Sequence, residues 1–150
     1  MTSLSRVFAL PATVIAAAAT LLAATAAPAA AQSGGKFQTF YALAAGPCVA
    51  VVDSSVHGPG YPSSASFTVS ANLIGLGPCS LDVTLQWRNV ATGQTGTRTA
   101  HAVGPGYWIS DPKTTIFQPG FGQFVGTVTV PTPHLGDPGQ VEFTVDPYKG

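Results

Sequence analysis

From Phe67 to Leu73 the odd-numbered positions carry Phe, Val, Ala and Leu, and the even-numbered ones carry Thr, Ser and Asn. Leu81, Val83, Leu85 and Trp87 alternate in the same way with Asp82, Thr84, Gln86 and Arg88. Val141, Phe143 and Val145 alternate with Glu142, Thr144 and Asp146. Successive side chains of an extended chain point to opposite sides, so each run is a strand with one face for a core and one for water. Less regular runs at 37–43, 48–53, 95–103, 106–110, 114–118 and 122–130 read as further strands. No segment beyond residue 31 keeps apolar positions at helical spacing over about ten residues. The pattern predicts an all-β domain.

Turn chemistry separates the runs. His57-Gly58-Pro59-Gly60-Tyr61-Pro62, Gly104-Pro105-Gly106 and Gln118-Pro119-Gly120 are loop sequences, because glycine accepts positive φ and proline supplies no ladder N–H. Asp111-Pro112, Asp137-Pro138-Gly139 and Asp146-Pro147 place aspartate at the first turn position and proline at the second. Thr92-Gly93 marks a hairpin between 81–91 and 95–103. About seven to nine short antiparallel strands at this spacing predict a single β-sandwich over residues 32–150, immunoglobulin-like in the broad sense. The Cys…Trp…Cys order of immunoglobulin domains is absent, since Trp87 follows both cysteines. A transmembrane barrel would use the same alternation with its apolar side toward lipid. Its strands need about 9 to 11 residues, however, and several runs here are shorter.

Residues 1–31 are different in kind. Arg6 precedes an alanine-dominated apolar run from Val7 to Ala27, and Ala29-Ala30-Ala31 closes it with small side chains. A positive start, an apolar middle and a small-residue end make a secretory signal peptide, with cleavage expected before Gln32. An uncleaved anchor is the rival reading, but alanine and threonine make the run only weakly apolar. The protein is therefore expected to be secreted or held in the cell envelope, with no transmembrane helix once the leader is removed. The alanine-rich leader fits a bacterial source.

Composition narrows the function classes. Only 8% of the 150 residues are charged and the formal net charge is zero, which excludes nucleic-acid binding by phosphate neutralisation. Seventeen glycines and thirteen prolines suit turns rather than helices. The two cysteines repeat one tripeptide, Gly46-Pro47-Cys48 and Gly77-Pro78-Cys79, each at the start of an apolar-rich run. In an exported chain they are expected to pair, closing a loop worth about 3 to 4 kcal/mol in the chain-entropy model.

Chemistry for catalysis is sparse. Asp111, Asp137 and Asp146 read as turn initiators, Asp53 as the end of a strand beside Ser54-Ser55, and Asp82 and Glu142 as solvated groups on polar strand faces. No nucleophile elbow, His-Glu-x-x-His helix or phosphate-cradling loop occurs. Gly122 and Gly126 read as bulges within a strand, and His57 and His134 as solvated loop residues rather than metal ligands. No enzyme activity, metal or cofactor is expected.

Two registers decide the remaining side chains. A two-residue turn at Thr92-Gly93 sets Trp87 opposite Arg98, a cation–π arrangement, and leaves His101 exposed beside Thr84 on the polar face. In Gly106-Tyr107-Trp108-Ile109-Ser110, burying Tyr107 and Ile109 removes two apolar side chains from water and turns Trp108 outward. An outward tryptophan can anchor a protein or stack on a sugar. Tyr107, Trp108 and Phe121 are thus the candidate binding residues. The expected function is surface recognition of an envelope or extracellular protein or glycan, without catalysis. An envelope structural or pore-forming barrel is the alternative, and a secreted inhibitor of an extracellular enzyme is a further one.

Overall fold

The computed structural model describes residues 33–58 and 61–147, so the leader expected at 1–31 and its cleavage site lie outside the described residues. The chain forms β1 (Gly34–Lys36), β2 (Phe40–Leu43), β3 (Cys48–His57), β4 (Ala65–Gly75), β5 (Cys79–Asn89), β6 (Thr95–Gly104) and β7 (Gly106–Ile109). A single helical turn, α1 (Pro112–Thr115), then leads into β8 (Ile116–Phe117), β9 (Gly122–Thr129), β10 (His134–Leu135) and β11 (Gln140–Val145). All pairings are antiparallel. The front sheet has the order β10-β2-β3-β4-β7, with β1 added to β3 and β8 to β4, and the back sheet has the order β11-β9-β5-β6. The expected all-β architecture is present as two packed sheets. Each sheet ends in free edges rather than closing on itself, as a barrel would.

The inner faces follow the alternation. Phe67, Val69, Ala71 and Leu73 of β4 are buried against Leu81, Val83 and Leu85 of β5, and Phe124 of β9 stacks on Phe143 of β11 at 5.2 Å. The disulfide Cys48–Cys79 joins the starts of β3 and β5 across the two sheets, with its Cα atoms 6.1 Å apart. The repeated Gly-Pro-Cys frames it: Gly46 and Gly77 both take φ of 98°, and Ala45 and Ser80 exchange backbone bonds of 2.8 and 2.9 Å. A Cβ on Gly75 would lie 2.0 Å from the Pro47 carbonyl oxygen, so this crossing needs a residue without a side chain.

Several local expectations are corrected. Asp53 does not end a strand, because β3 continues to His57. Ser54 fits the inner face as a small residue, and Asp53 points outward to accept from Thr39 Oγ1 at 2.5 Å. The run at 114–118 is not one strand. Asp111 caps α1 by accepting from the Lys113 N–H at 2.8 Å, with Pro112 in the first helical turn, and only Ile116 and Phe117 pair with β4. The β5–β6 connection is longer than two residues. The Asn89 side chain accepts from the N–H groups of Ala91 and Thr92, at 2.9 and 3.0 Å, and winds the chain into a wider turn.

Pairing consequently shifts by two residues, keeping the expected faces but changing partners. Leu85 stands opposite Arg98, Trp87 opposite Gly96 and Asp82 opposite His101. Gly96, not Arg98, lies against the Trp87 ring, where a Cβ would come within 2.2 Å of the indole. Arg98 instead donates to the Thr114 carbonyl. Gly126 is not a bulge, since it pairs in unbroken register with Trp87 on one side and Val141 on the other. Its missing side chain leaves space for Leu85, Phe143 and Phe37.

Candidate functional site

Strand β7 pairs with β4 so that Ala71, an inward residue, stands opposite Trp108, and Asn72, an outward residue, stands opposite Tyr107. Register with a long, firmly packed neighbour therefore sets the parity of this short strand. It reverses the expected arrangement: Trp108 packs on the core, while Tyr107 and Ile109 are 71% and 55% exposed. Two apolar side chains are left in water so that one larger indole can cover the flank of the core.

The outward residues of the front sheet form one surface. Across the strands, Leu135 of β10 stands opposite Tyr41 of β2, Tyr41 opposite Val51 of β3, Val51 opposite Asn72 of β4, and Asn72 opposite Tyr107 of β7. The next row toward the disulfide is Leu43, Val49 and Ile74, and the row on the other side is Asp53, Ser70 and Ile109. Same-face neighbours on adjacent strands lie about 5 Å apart, so these side chains are contiguous. Tyr41, Leu43, Val49, Ile74, Tyr107, Ile109 and Leu135 are all exposed. At the β2–β10 edge, Tyr41, Leu43, Val49, Pro133 and Leu135 line a shallow groove of ≈ 260 Å³. Farther along, the face turns polar, through Asp53, Ser55, Thr68 and Ser70.

The outer face of the back sheet has another chemistry. Thr127, Gln86 and Thr97 form one row across β9, β5 and β6, and Thr129, Thr84 and Thr99 form the next. The hydroxyls of Thr84 and Thr99 bond to each other at 2.8 Å, and Gln86 donates to Thr129 at 3.5 Å. A depression of ≈ 430 Å³ over this sheet, larger than the front groove, is lined chiefly by Gln86, Arg88, Thr95, Thr97 and Thr127. Such groups are already well solvated, so covering them gains little free energy. The apolar front surface is the stronger candidate on chemical grounds.

The three residues singled out in the sequence occupy three places. Tyr107 belongs to the front surface. Trp108, on the reverse side of the same strand, lines a cleft of ≈ 400 Å³ between β6 and β7 with Phe67, Arg98, Ala100 and Asp111. Phe121 is exposed in the β8–β9 loop, where its carbonyl accepts from Asn89 Nδ2 at 3.0 Å. The sequence did not single out Tyr41, Leu43, Val49, Ile74 or Leu135. For Tyr41, Leu43 and Val49 the signal was present as apolar runs without alternation, Phe40-Tyr41-Ala42-Leu43 and Cys48-Val49-Ala50-Val51-Val52. A strand apolar on both faces has two faces to cover.

His101 Nδ1 and Asp82 Oδ1 are 2.6 Å apart on the back sheet, both largely exposed, and their nearest threonine row is bonded within itself. His57 closes β3 beside β1, whereas His134 pairs near the opposite end of that strand's neighbour β2, so the two do not meet. Among the described residues no cluster of three or more His, Cys, Asp or Glu is placed to hold a metal ion, and no helix is long and apolar enough to cross a membrane. No protein-family model, characterised protein or solved structure matches the chain.

Proposed function

We propose that the protein is an exported, envelope-associated or secreted recognition module that works through the outer face of its front sheet and not by catalysis. The observation that carries this reading is the largely apolar surface from Leu135 to Tyr107, which spans five strands and is interrupted in its central row by Asn72. Monomeric proteins rarely leave a continuous apolar patch beyond a few hundred Å² in water, because each Å² costs about 25 cal/mol. A protein partner is favoured over a glycan. Leucine, isoleucine and valine supply no hydrogen bonds to a sugar and no aromatic platform, and only Tyr41 and Tyr107 on this face could stack. Export rests on the leader sequence and on the Cys48–Cys79 bridge, since disulfides persist outside the reducing cytoplasm. The facing orders β2-β3-β4-β7 and β11-β9-β5-β6 support an immunoglobulin-like type in the broad sense.

Retention of the purified protein on envelope fractions of the producing cells tests the reading. The Leu43→Thr/Ile74→Thr double variant should be retained at least tenfold less, while Thr97→Val on the back sheet should bind as the parent does. Equal retention of all three would sink it.

A further inference from the structure

We propose that the open edge strand β6 is a second recognition site, which takes up an extended acidic peptide as an added strand with one peptide carboxylate on Arg98. This surface is separate from the front face and does not depend on it. The edges of the two sheets are unequal. β10 and β7 are 2 and 4 residues long. β11 is covered from the side: β1 packs beside it, and a Cβ on Gly58 would lie 1.8 Å from the Thr144 carbonyl oxygen. β6 runs for 10 residues in unbroken register with β5 and contains no proline.

Backbone direction shows what that edge offers. The Asn89 N–H donates to the Gln94 carbonyl at 2.7 Å, and bonded pairs recur at every second residue along an antiparallel ladder. Arg98, Ala100 and Ala102 therefore turn their backbone groups to β5, and Thr97, Thr99, His101 and Val103 turn theirs to the open side. Among the described residues those outward groups meet no partner. An extended peptide can supply one, since main-chain hydrogen bonds give strand addition its affinity.

Side chains set the chemistry of the peptide. Beside β6 lies the cleft of ≈ 400 Å³ whose apolar lining is Phe67, Ala100 and Trp108. β6 turns little bulk into it: Gly96, Ala100, Ala102 and Gly104 are small, and Arg98 is the one long side chain among them. Arg98 donates to the Thr114 carbonyl and forms no ion pair among the described residues. Asp111 lines the same cleft, but its carboxylate caps α1 by accepting from the Lys113 N–H. The rest of the guanidinium fork is free for a carboxylate. An inward charge turns away strands with an apolar side chain at that place and admits one with an acid. It also disfavours a second β6, which would bring its own Arg98 into the cleft. The peptide that fits is polar on its outward side. Inward, it sets glutamate or aspartate opposite Arg98 and an apolar residue opposite Ala100, two positions along.

Selection from a library of randomised nonapeptides displayed on phage, with the purified chain as target, tests the proposal. Enriched peptides should carry an acid two positions from an apolar residue, and synthetic copies should bind in fluorescence anisotropy. Arg98→Met should weaken them by about tenfold or more. Thr99→Pro removes an outward N–H without touching the β5 ladder and should abolish binding, with its folding checked by circular dichroism. N-methylation of the peptide at alternate residues tests the same backbone bonds with the parent chain unaltered. One of the two alternations should abolish binding while the other spares it. Absence of enrichment overturns the proposal, as do peptides indifferent to Arg98→Met or to both patterns of N-methylation. Peptides lost from Ile74→Thr but kept by Thr99→Pro belong to the front face, so that strand addition at β6 fails while recognition by the front face stands.

Discussion

Val51 of the front sheet stands between Tyr41 and Asn72, whereas Gln86 of the back sheet stands between Thr127 and Thr97. Both are outward positions on central strands, and both sheets turn the same apolar chemistry inward, Val52 and Leu73 on one side and Leu85 and Val83 on the other. Folding alone therefore accounts for most of the back sheet, where one face is buried and the other, exposed Val103 of β6 apart, carries mainly polar side chains. It does not account for the front sheet, whose outer face would be more favourable in water as threonine and glutamine. The difference separates residues that serve the sandwich from residues available to a partner, and it does so within one sheet, strand by strand.

Neighbouring residues on β4 and β7 give the sharpest ways to break this comparison. Leu73→Ala should cost about 3 to 4 kcal/mol, since the side chain is 1% exposed in a packed core, while Ile74→Ala, 58% exposed, should stay within about 0.5 kcal/mol. Urea unfolding of the two single variants measures both, and similar losses would mean that the two faces are not distinct. Reduction of Cys48–Cys79 should remove about 3 to 4 kcal/mol in the chain-entropy model, seen as a fall of the melting temperature by several degrees or more. That loss should be the same in the parent and in Ile74→Thr, because the bridge ties inner faces only.

The next contrast lies on β7. Trp108→Ala should lose about 2 to 3 kcal/mol, less than a fully buried tryptophan, and Tyr107→Ala should lose about 0.5 kcal/mol or less. Denaturant titration that ranked Tyr107 above Trp108 would reverse the parity of the strand. Smallest of all, Thr97→Val should change stability by no more than about 0.5 kcal/mol. Light scattering should show no new association, since one valine in a threonine row makes no continuous patch.

Strands with one wet face were plain in the sequence. The alternations at 67–73, 81–88 and 141–146 set their inward and outward residues correctly, and the paired cysteines and the Asp111 and Asp137 turns followed from residue type. The front surface was less legible for a physical reason. In Phe40-Tyr41-Ala42-Leu43 and Cys48–Val52 both faces are apolar, so the period of two disappears where it would have marked the exposed side. Tyr107-Trp108-Ile109 posed the same difficulty in three residues. Counting apolar side chains favoured burying Tyr107 and Ile109, but pairing of Ala71 with Trp108 outweighed the count. Partnership between distant strands set that parity. The β5–β6 register likewise depended on the Asn89 side chain bonding its own turn, which dipeptide signals at Thr92-Gly93 do not report.

Covalent footprinting of tyrosines in the native envelope or culture fluid tests the central claim most directly. Tyr41 and Tyr107 lie on the front face, and Tyr61, 61% exposed, lies in the β3–β4 connection away from it. In dilute purified protein all three should react with hydroxyl radicals at comparable rates. In its native setting the protein should show Tyr41 and Tyr107 protected severalfold while Tyr61 stays reactive. Equal labelling of the three tyrosines in both settings would contradict the claim that the front sheet's outer face is covered when the protein is at work.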